Sequence, residues 1–202
     1  MFERQPSFSR RQWELLQAAI RLLDRVGISG FTMRSLADEV NLSPMAAYKH
    51  FENQRALQVE VWRECQNRFY DQLLASTQDC DDPATGFLAF CRTFVATSVE
   101  YPYRYEFLYN HPFVREIQQI EELEELRQSV WVFALDLVQR AQSQGLYRGD
   151  MSAELLLVAA ASQIRGLASV IVYRQTATAA DIDVSEAIES GMTFIREGLM
   201  AR

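Results

Sequence analysis

Apolar residues along the chain recur at the three- and four-residue spacing of amphipathic helices, and strand-like alternation is nearly absent. The first such segment spans residues 10–26. Ser9 and Gln12 have the spacing of a capping box before it, and Gly27 follows as a C-cap. Its predicted buried stripe is Leu15, Ala18, Ala19, Leu22, Leu23 and Val26. The pattern predicts an all-α protein.

Two short segments after this helix have the start and stop signals of a helix pair. Thr32 is placed to cap a short helix that ends before Asn41, and Ser43 with Pro44 starts another that runs to about His50. Asn41 lies where the chain is expected to turn in the left-handed region, which asparagine tolerates better than most residues. Two short helices joined by a tight turn, after a longer helix, predict a helix-turn-helix.

The rest of the chain continues the helical pattern. It predicts helices over residues 53–77, 82–100, 113–143 and 152–173. A last helix begins at a capping box formed by Asp183 and Glu186, and an aromatic segment, YPYRYEFLYNHPF (101–113), interrupts the pattern. We predict two domains, a helix-turn-helix domain (1–52) and a larger helical body (53–202).

Composition and charge narrow the class of protein. The chain is 49% hydrophobic and 23% charged, which is ordinary for a soluble protein. No apolar run is expected to reach the roughly 20 residues that span a bilayer, and the N-terminus lacks the apolar stretch of a signal peptide. Three scattered cysteines argue against a disulfide framework, so we expect a cytoplasmic protein with no membrane partner.

The net charge of −7 is unevenly distributed. Residues 1–63 contain nine Lys or Arg and seven Asp or Glu, a net +2, whereas residues 64–202 carry a net −9. A weakly basic head on an acidic body is compatible with phosphate contact at one end, and chance fluctuation over 63 residues is the alternative.

Motifs for catalysis are missing from the sequence. The chain has no glycine-rich phosphate loop, no C-x-x-C and no H-E-x-x-H, and its only histidines are His50 and His111. The acidic run EELEEL (121–126) is most simply a solvated helix face. We expect no enzyme activity, no cofactor and no metal site.

The segment LLQAAIRLLDRVGISGFTMRSLADEVNLSPMAAYKHFENQRAL (15–57) resembles the DNA-binding domain of the tetracycline-repressor (TetR) family. It carries these family residues in register: Ala18, Ala19, Gly27, Thr32, Leu36, Ala37, Ser43, Tyr48, His50, Phe51 and Leu57. Three positions depart from the family pattern. Asn41 stands where glycine is usual, Ala47 replaces a common leucine, and Gln54 occupies a position that generally holds a phosphate-binding lysine. Neighbouring Arg55 is a candidate to replace that lysine.

The resemblance implies a nine-helix TetR-like fold and a transcriptional regulator. It implies a homodimer through the eighth and ninth helices, which correspond to 152–173 and the helix after Asp183. The dimer would bind double-stranded DNA at a palindromic operator, and an unknown small-molecule effector in the C-terminal body would release the repressor. The alternative is a helical interaction module of the same fold that has lost sequence-specific DNA binding, which Gln54 and the modest charge of the head favour.

The predicted DNA-binding residues lie on the short helices and their flanks. They are Arg11, Thr32, Arg34, Ser43, Pro44, Met45, Ala46, Tyr48, Lys49, His50 and Arg55. Arg34 and Lys49 are the plausible donors to guanine, while Tyr48 and His50 can donate to phosphates. Lys49, the only lysine of the chain, could instead be a solvated surface residue, and Tyr48 could be a core aromatic.

A ligand site in the body is expected to be apolar with a few polar groups. The predicted ligand-binding residues are Phe87, Phe90, Cys91, Phe94, Tyr105, Tyr109, Trp131, Gln163 and Arg165. Gln163 and Arg165 interrupt an apolar helix and are the candidate polar groups. The alternative is that the aromatic residues simply fill the core.

Overall fold

The first helix begins where its capping box predicts. In a computed structural model of the protein, which describes residues 8–173 and 183–201, helix α1 spans Arg10–Val26. The Ser9 hydroxyl accepts a hydrogen bond from the backbone N–H of Gln12, and the Gln12 side chain accepts one from the N–H of Ser9. Val26 is 40% exposed, so its predicted burial was wrong. Its side chain lies over Gly30, where an added Cβ would come within 2.6 Å of it.

Nine further α-helices lie in the described residues. They are α2 (Met33–Glu39), α3 (Pro44–Tyr48), α4 (Gln54–Ala75), α5 (Pro83–Glu100), α6 (Pro102–Tyr105), α7 (Phe113–Ile117), α8 (Glu124–Ser143), α9 (Ala153–Tyr173) and α10 (Val184–Leu199). The all-α fold is confirmed, with ten helices in this part of the chain rather than nine. The aromatic segment after α5 is itself helical, because α6 continues into a π-helical turn at Glu106–Asn110.

The predicted helix over 113–143 is wrong, because the chain breaks between α7 and α8. Ile120 takes an extended conformation with φ −93° and ψ 104° before a short 3₁₀ turn. The Arg127 guanidinium donates hydrogen bonds to the carbonyl oxygens of Ile117 (2.7 Å) and Ile120 (3.0 Å). Each carbonyl also accepts a backbone N–H at 3.1 Å, that of Ile117 from Ile120 and that of Ile120 from Leu123, so the arginine adds a second donor at the break.

The turn between α2 and α3 has the predicted left-handed residue. Asn41 has φ 53° and is the only non-glycine residue with positive φ in the described ranges. The N–H of Leu42 donates to the carbonyl of Ala37 at 2.8 Å, and the N–H of Asn41 donates to that of Asp38 at 3.3 Å. This pair of hydrogen bonds is a Schellman motif, with Asn41 in the position that glycine usually takes.

The described chain forms two compact units. One contains residues 8–68 and 101–127, and the other contains 69–100, 128–173 and 183–201. In the first unit, α1 packs on α2 and α6, and α2 packs on α3. In the second unit, α5 packs on α9 and α10, which also pack on each other. The domain boundary after residue 52 stays a prediction.

One helix corrects the expectation about apolar runs. Helix α9 is 21 residues long and contains an 18-residue window with a mean hydropathy of 1.9, so by length and composition alone it is apolar enough to cross a membrane. A core helix of a soluble protein passes the same test. Here α9 buries Leu156, Ala160 and Ile164 within its own unit, against α5 and α10.

Candidate nucleic-acid interface

Helix α3 is short, and local chemistry fixes both of its ends. The Ser43 hydroxyl accepts a hydrogen bond from the N–H of Ala46 at 3.2 Å, and Pro44 occupies the first helical position. Ala47 is fully buried and is the only buried residue of the helix. A small residue at this point lets α3 sit close to the rest of its unit, so its other side chains are left at the surface.

The predicted DNA-binding residues lie in the first unit, on α1 to α4 and their flanks. Exposed among them are Thr32, Arg34, Ser43, Pro44, Met45, Tyr48, Lys49 and Arg55, and half-buried are Arg11, Ala46 and His50. Tyr48 is 46% exposed and Met45 is 72% exposed. The burial of Tyr48 in a core, which the sequence left open, is therefore excluded for this unit. The DNA-binding roles stay predictions.

Ion pairs divide the cations of this surface into two groups. Arg11 pairs with Glu14 at 2.8 Å, and Arg55 pairs with Glu116 at 2.8 Å. Within the described ranges, Arg34 and Lys49 have no acidic partner, and both are exposed. Arg34 and Lys49 are therefore the cations of the helix pair that have no acidic partner to compete with an anion.

Two glutamines that the sequence analysis did not assign to the interface hold it in place. The Gln12 side chain donates to the carbonyl of His50 at 3.2 Å, so α1 fixes the residue just after α3. The Gln54 side chain donates to the carbonyl of Phe31 at 3.1 Å, just before α2 begins. The capping-box spacing predicted only the contact of the Gln12 amide oxygen with Ser9. The amide N–H₂ group has a partner that is distant in sequence, which no spacing can reveal. Gln54 thus positions the backbone before α2, although it lacks the charge of the phosphate-binding lysine that is usual at this position.

The N-cap hydroxyl groups of both short helices accept hydrogen bonds from their own backbone. The Thr32 hydroxyl accepts from the N–H of Ser35 at 3.0 Å, and the Ser35 hydroxyl donates to the carbonyl of Gly30 at 2.8 Å. An accepting hydroxyl keeps its own O–H, so the exposed Ser43 hydroxyl remains a donor together with the exposed cations and the Tyr48 hydroxyl.

The predicted ligand-binding residues divide between the two units. Phe87, Phe90, Cys91 and Phe94 are all buried in the second unit, where the rings of Phe87 and Phe90 stack with centroids 5.9 Å apart. Burial raises the pKa of the Cys91 thiol far above its usual value. Tyr105 and Tyr109 lie in the first unit, with ring centroids 5.7 Å apart.

The other three candidates are at the surface of the second unit. Trp131 is 41% exposed, and Gln163 and Arg165 are exposed on either side of buried Ile164. Since neighbours of a buried helical residue point away from its core, this pair does not enter the buried aromatic cluster. Gln163 instead lines an open groove of about 760 Å³ formed by residues of α9 and α10, including Gly191 and Phe194. The ligand-binding roles stay predictions.

Comparisons with known proteins match the same N-terminal segment. A family model described as bacterial regulatory proteins, tetR family, matches residues 15–61. The tetracycline repressor protein class A from transposon 1721 of Escherichia coli is 44% identical over 43 residues, which are 21% of this chain and 20% of that protein. An uncharacterized HTH-type transcriptional regulator, YobS of Bacillus subtilis, is 26% identical over 102 residues, or 50% of this chain and 52% of that protein. The matches thus span about half or less of these curated relatives.

Solved structures extend the likeness in fold to the rest of the chain. A TetR family transcription regulator from Marinobacter aquaeolei is superposable with a TM-score of 0.71 at 19% identity, covering 95% of this chain and 96% of the other. The N-terminal match in sequence and the whole-chain match in fold agree with the helix pair, its caps and its left-handed turn. Residues 15–61 are thus similar to the DNA-binding segment of the tetR family of bacterial regulatory proteins, and the rest of the chain shares the fold of such a regulator.

Proposed function

We propose that this protein is a cytoplasmic, homodimeric transcriptional repressor that binds double-stranded DNA through the helix pair α2–α3. The observation that carries the proposal is the pair of exposed cations, Arg34 and Lys49, that have no acidic partner in the described ranges. Arg11 and Arg55 on the same surface are paired with glutamates, whereas Arg34 on α2 and Lys49 at the end of α3 are unpaired on the two helices that can enter a major groove.

Different side chains of this helix pair contact bases and phosphates. Arg34 has the fork that binds guanine bidentately, and Lys49 supplies a single charge. Met45, with the flanking Pro44 and Ala46, offers apolar contact for thymine methyl groups. Tyr48 donates to a phosphate and sets register rather than sequence. Such a surface has few polar groups for reading bases, so DNA shape carries part of the specificity.

Dimerisation is supported by apolar side chains that remain exposed on the second unit. The largest exposures on α9 and α10 are those of Leu155 (56%), Val158 (50%) and Phe194 (71%). All three side chains are too apolar to favour water, and Phe194 also lines the open groove. A second copy of the chain that covers this face with its own α9 and α10 places two recognition helices on one palindromic operator.

A small effector in the helical body would control the repressor. The ligand acts by binding more tightly to the dimer whose two heads do not fit adjacent half-sites, because equal affinity for both spacings would shift nothing. The buried aromatic residues of the body supply the apolar surface that such a ligand needs.

The test is selection of bound duplexes from a random pool, followed by measured affinities at several salt concentrations. We expect a palindromic site whose affinity falls steeply with salt, because each phosphate contact contributes about 0.9 to the slope of log affinity against log salt. Arg34→Ala should relax preference at one base position, whereas Tyr48→Phe should weaken all sequences about equally. Arg140→Ala, which removes an exposed arginine of α8, is the matched control and should change neither.

Failure of the full-length protein to bind any selected duplex would overturn this proposal. The chain would then be the alternative, an interaction module of the same fold. Gln54 is the residue to examine in that case, because it uses its side chain on the Phe31 carbonyl where the family generally has a phosphate-binding lysine.

A further inference from the structure

Helix α4 carries two buried polar groups that lack hydrogen-bond partners. Trp62 is 3% exposed and Gln66 is 2% exposed, yet the indole Nε1 of Trp62 and the Oε1 of Gln66 make no hydrogen bond. Buried polar atoms are nearly always bonded in folded proteins, and leaving one unbonded costs free energy. Two such atoms one helical turn apart therefore call for a partner that binds them.

The geometry lets one partner reach both groups. Residues four apart lie on one face of a helix, with Cβ atoms roughly 5–6 Å apart. Both belong to the first unit, as does Leu126, whose carbonyl oxygen accepts a long 3.5 Å hydrogen bond from the Gln66 Nε2. That bond fixes the amide with its N–H₂ towards Leu126 and leaves the carbonyl end open.

The chemistry of the two open groups defines the partner. Indole N–H only donates, and the amide oxygen only accepts. The partner must therefore accept one hydrogen bond and donate another, as a hydroxyl or an amide group does. Charged side chains on the same helix are already paired, Arg63 with Glu60 at 3.2 Å and Arg68 with Glu64 at 2.8 Å. Since a buried charge requires a counter-charge, the fitting group is neutral.

We propose that Trp62 and Gln66 anchor the hydroxyl or amide group of a neutral small ligand. The inference rests on the proposed function, because it identifies where the effector of the repressor would be held. The Trp62 N–H donates to the ligand oxygen, and the ligand O–H or N–H donates to the Gln66 oxygen. A buried water that permanently bridges the two groups is the competing explanation.

The experiment observes the Trp62 indole N–H directly in the full-length protein by ¹⁵N-labelled tryptophan NMR. The chain has three tryptophans, and Trp62→Phe assigns the signal. Benzyl alcohol and N-methylacetamide are the probes, and toluene is the control because it has the ring of benzyl alcohol without the hydroxyl. We expect both probes to shift the Trp62 signal saturably in the direction of a stronger hydrogen bond, and toluene to cause no such shift.

Two variants of α4 test the second half of the pair. Gln66→Met keeps the length of the side chain and removes the open carbonyl, so it should weaken benzyl alcohol binding by about fivefold, the value of one ordinary hydrogen bond. It should also leave the thermal unfolding midpoint of the ligand-free protein equal to or above that of the wild type, because the unbonded carbonyl and only one long 3.5 Å hydrogen bond to Leu126 are removed together. Gln58→Met, on the same helix and half-buried, is the matched control and should leave benzyl alcohol affinity unchanged.

Three results would overturn the proposal: a Trp62 signal that neither probe moves, equal effects of Gln66→Met and Gln58→Met on binding, or a lowered unfolding midpoint for Gln66→Met. The last would show that a resident water only occupies the position. The duplex selection is independent of these measurements. A responsive Trp62 in a protein that selects no duplex would refute the proposed function alone, and an unresponsive Trp62 in a protein that binds its operator would refute the anchor alone.

Discussion

The left-handed residue of the turn between α2 and α3 allows a quantitative test. Asn41 has φ 53°, where a residue with a Cβ is strained by roughly 1–2 kcal/mol, and asparagine reduces this cost through local hydrogen bonding. Asn41→Ala keeps the strain and removes the polar side chain, so it should lower the free energy of unfolding by about 1 kcal/mol. For a chain of this length that loss lowers the unfolding midpoint by about 2–4 °C.

Two further variants separate backbone strain from other effects. Asn41→Gly removes the strain but loosens the unfolded chain by about 0.5–1 kcal/mol, so its stability should stay close to that of the wild type. Asn67→Ala is the control, because it makes the same chemical change within α4, where helix propensity improves by up to about 0.7 kcal/mol. Far-UV circular dichroism against temperature or urea measures all three variants.

The reasoning is refuted if Asn41→Ala is as stable as the wild type, or if Asn41→Gly and Asn41→Ala lose stability equally. In either case the Schellman hydrogen bonds would not depend on a left-handed residue. A destabilising effect of Asn67→Ala as large as that of Asn41→Ala would instead show that loss of any asparagine is harmful.

Three other predictions follow from side chains outside the turn. Asp82 caps α5, because its carboxylate accepts hydrogen bonds from the backbone N–H groups of Ala84 and Thr85, each at 2.8 Å. These bonds hold the pKa of the Asp82 carboxyl below the usual value. Because the pKa of Asp82 is depressed in the folded state, the stability that its charge contributes is present above pH about 4 and is lost as pH falls through the folded pKa. Urea unfolding should therefore show Asp82→Asn to be less stable than the wild type at pH 7 but equal to it near pH 2. Cys80 is half-buried, whereas Cys65 and Cys91 are buried and their thiols have raised pKa values. A thiol reagent at pH 8 should therefore modify Cys80 rapidly and the other two only at the rate of unfolding. Equal rates of modification at all three cysteines would contradict the packing. Arg104→Gln should cost about 1–3 kcal/mol by leaving the Asp24 carboxylate without its bidentate partner, and a double-mutant cycle with Asp24→Asn should show coupling; additive losses would mean that the pair contributes nothing of its own.

Local chemistry explains why the N-terminal helices could be predicted from sequence. The capping box at Ser9, the left-handed turn at Asn41 and the proline after Ser43 each act over three or four residues, so their sequence spacing is their geometry. The break between α7 and α8 could not be found in this way. Its main stabilising contact comes from Arg127, which reaches carbonyl groups seven and ten positions earlier.

The candidate sites show the same limit. Arg34 and Lys49 could be predicted as DNA-binding residues from the sequence, but their lack of acidic partners depends on contacts between separate helices. Gln163 and Arg165 were predicted to be polar groups of a ligand pocket because they interrupt an apolar helix; both are exposed, and Gln163 lines the open groove formed by α9 and α10. A polar residue in an apolar helix signals a different environment without saying whether that environment is a cavity or the surface. Trp62 and Gln66 gave no signal at all, since what distinguishes them is an absence of partners in three dimensions.

The contacts between α1 and α6 have a mechanical consequence. Arg104 binds Asp24 through two hydrogen bonds of 2.5 and 2.6 Å and lies over the ring of Tyr101 at 4.1 Å. Gly27, the residue that follows α1, has φ 66° and leaves so little room that an added Cβ would approach the Tyr103 ring at 2.9 Å. The Arg104–Asp24 ion pair and the close contact of Gly27 with the Tyr103 ring therefore both connect the end of α1 to α6. Movement of α6 away from α1 lengthens the Arg104–Asp24 hydrogen bonds, and movement towards it presses the Tyr103 ring against the backbone of Gly27. The end of α1 and helix α6 must therefore move together.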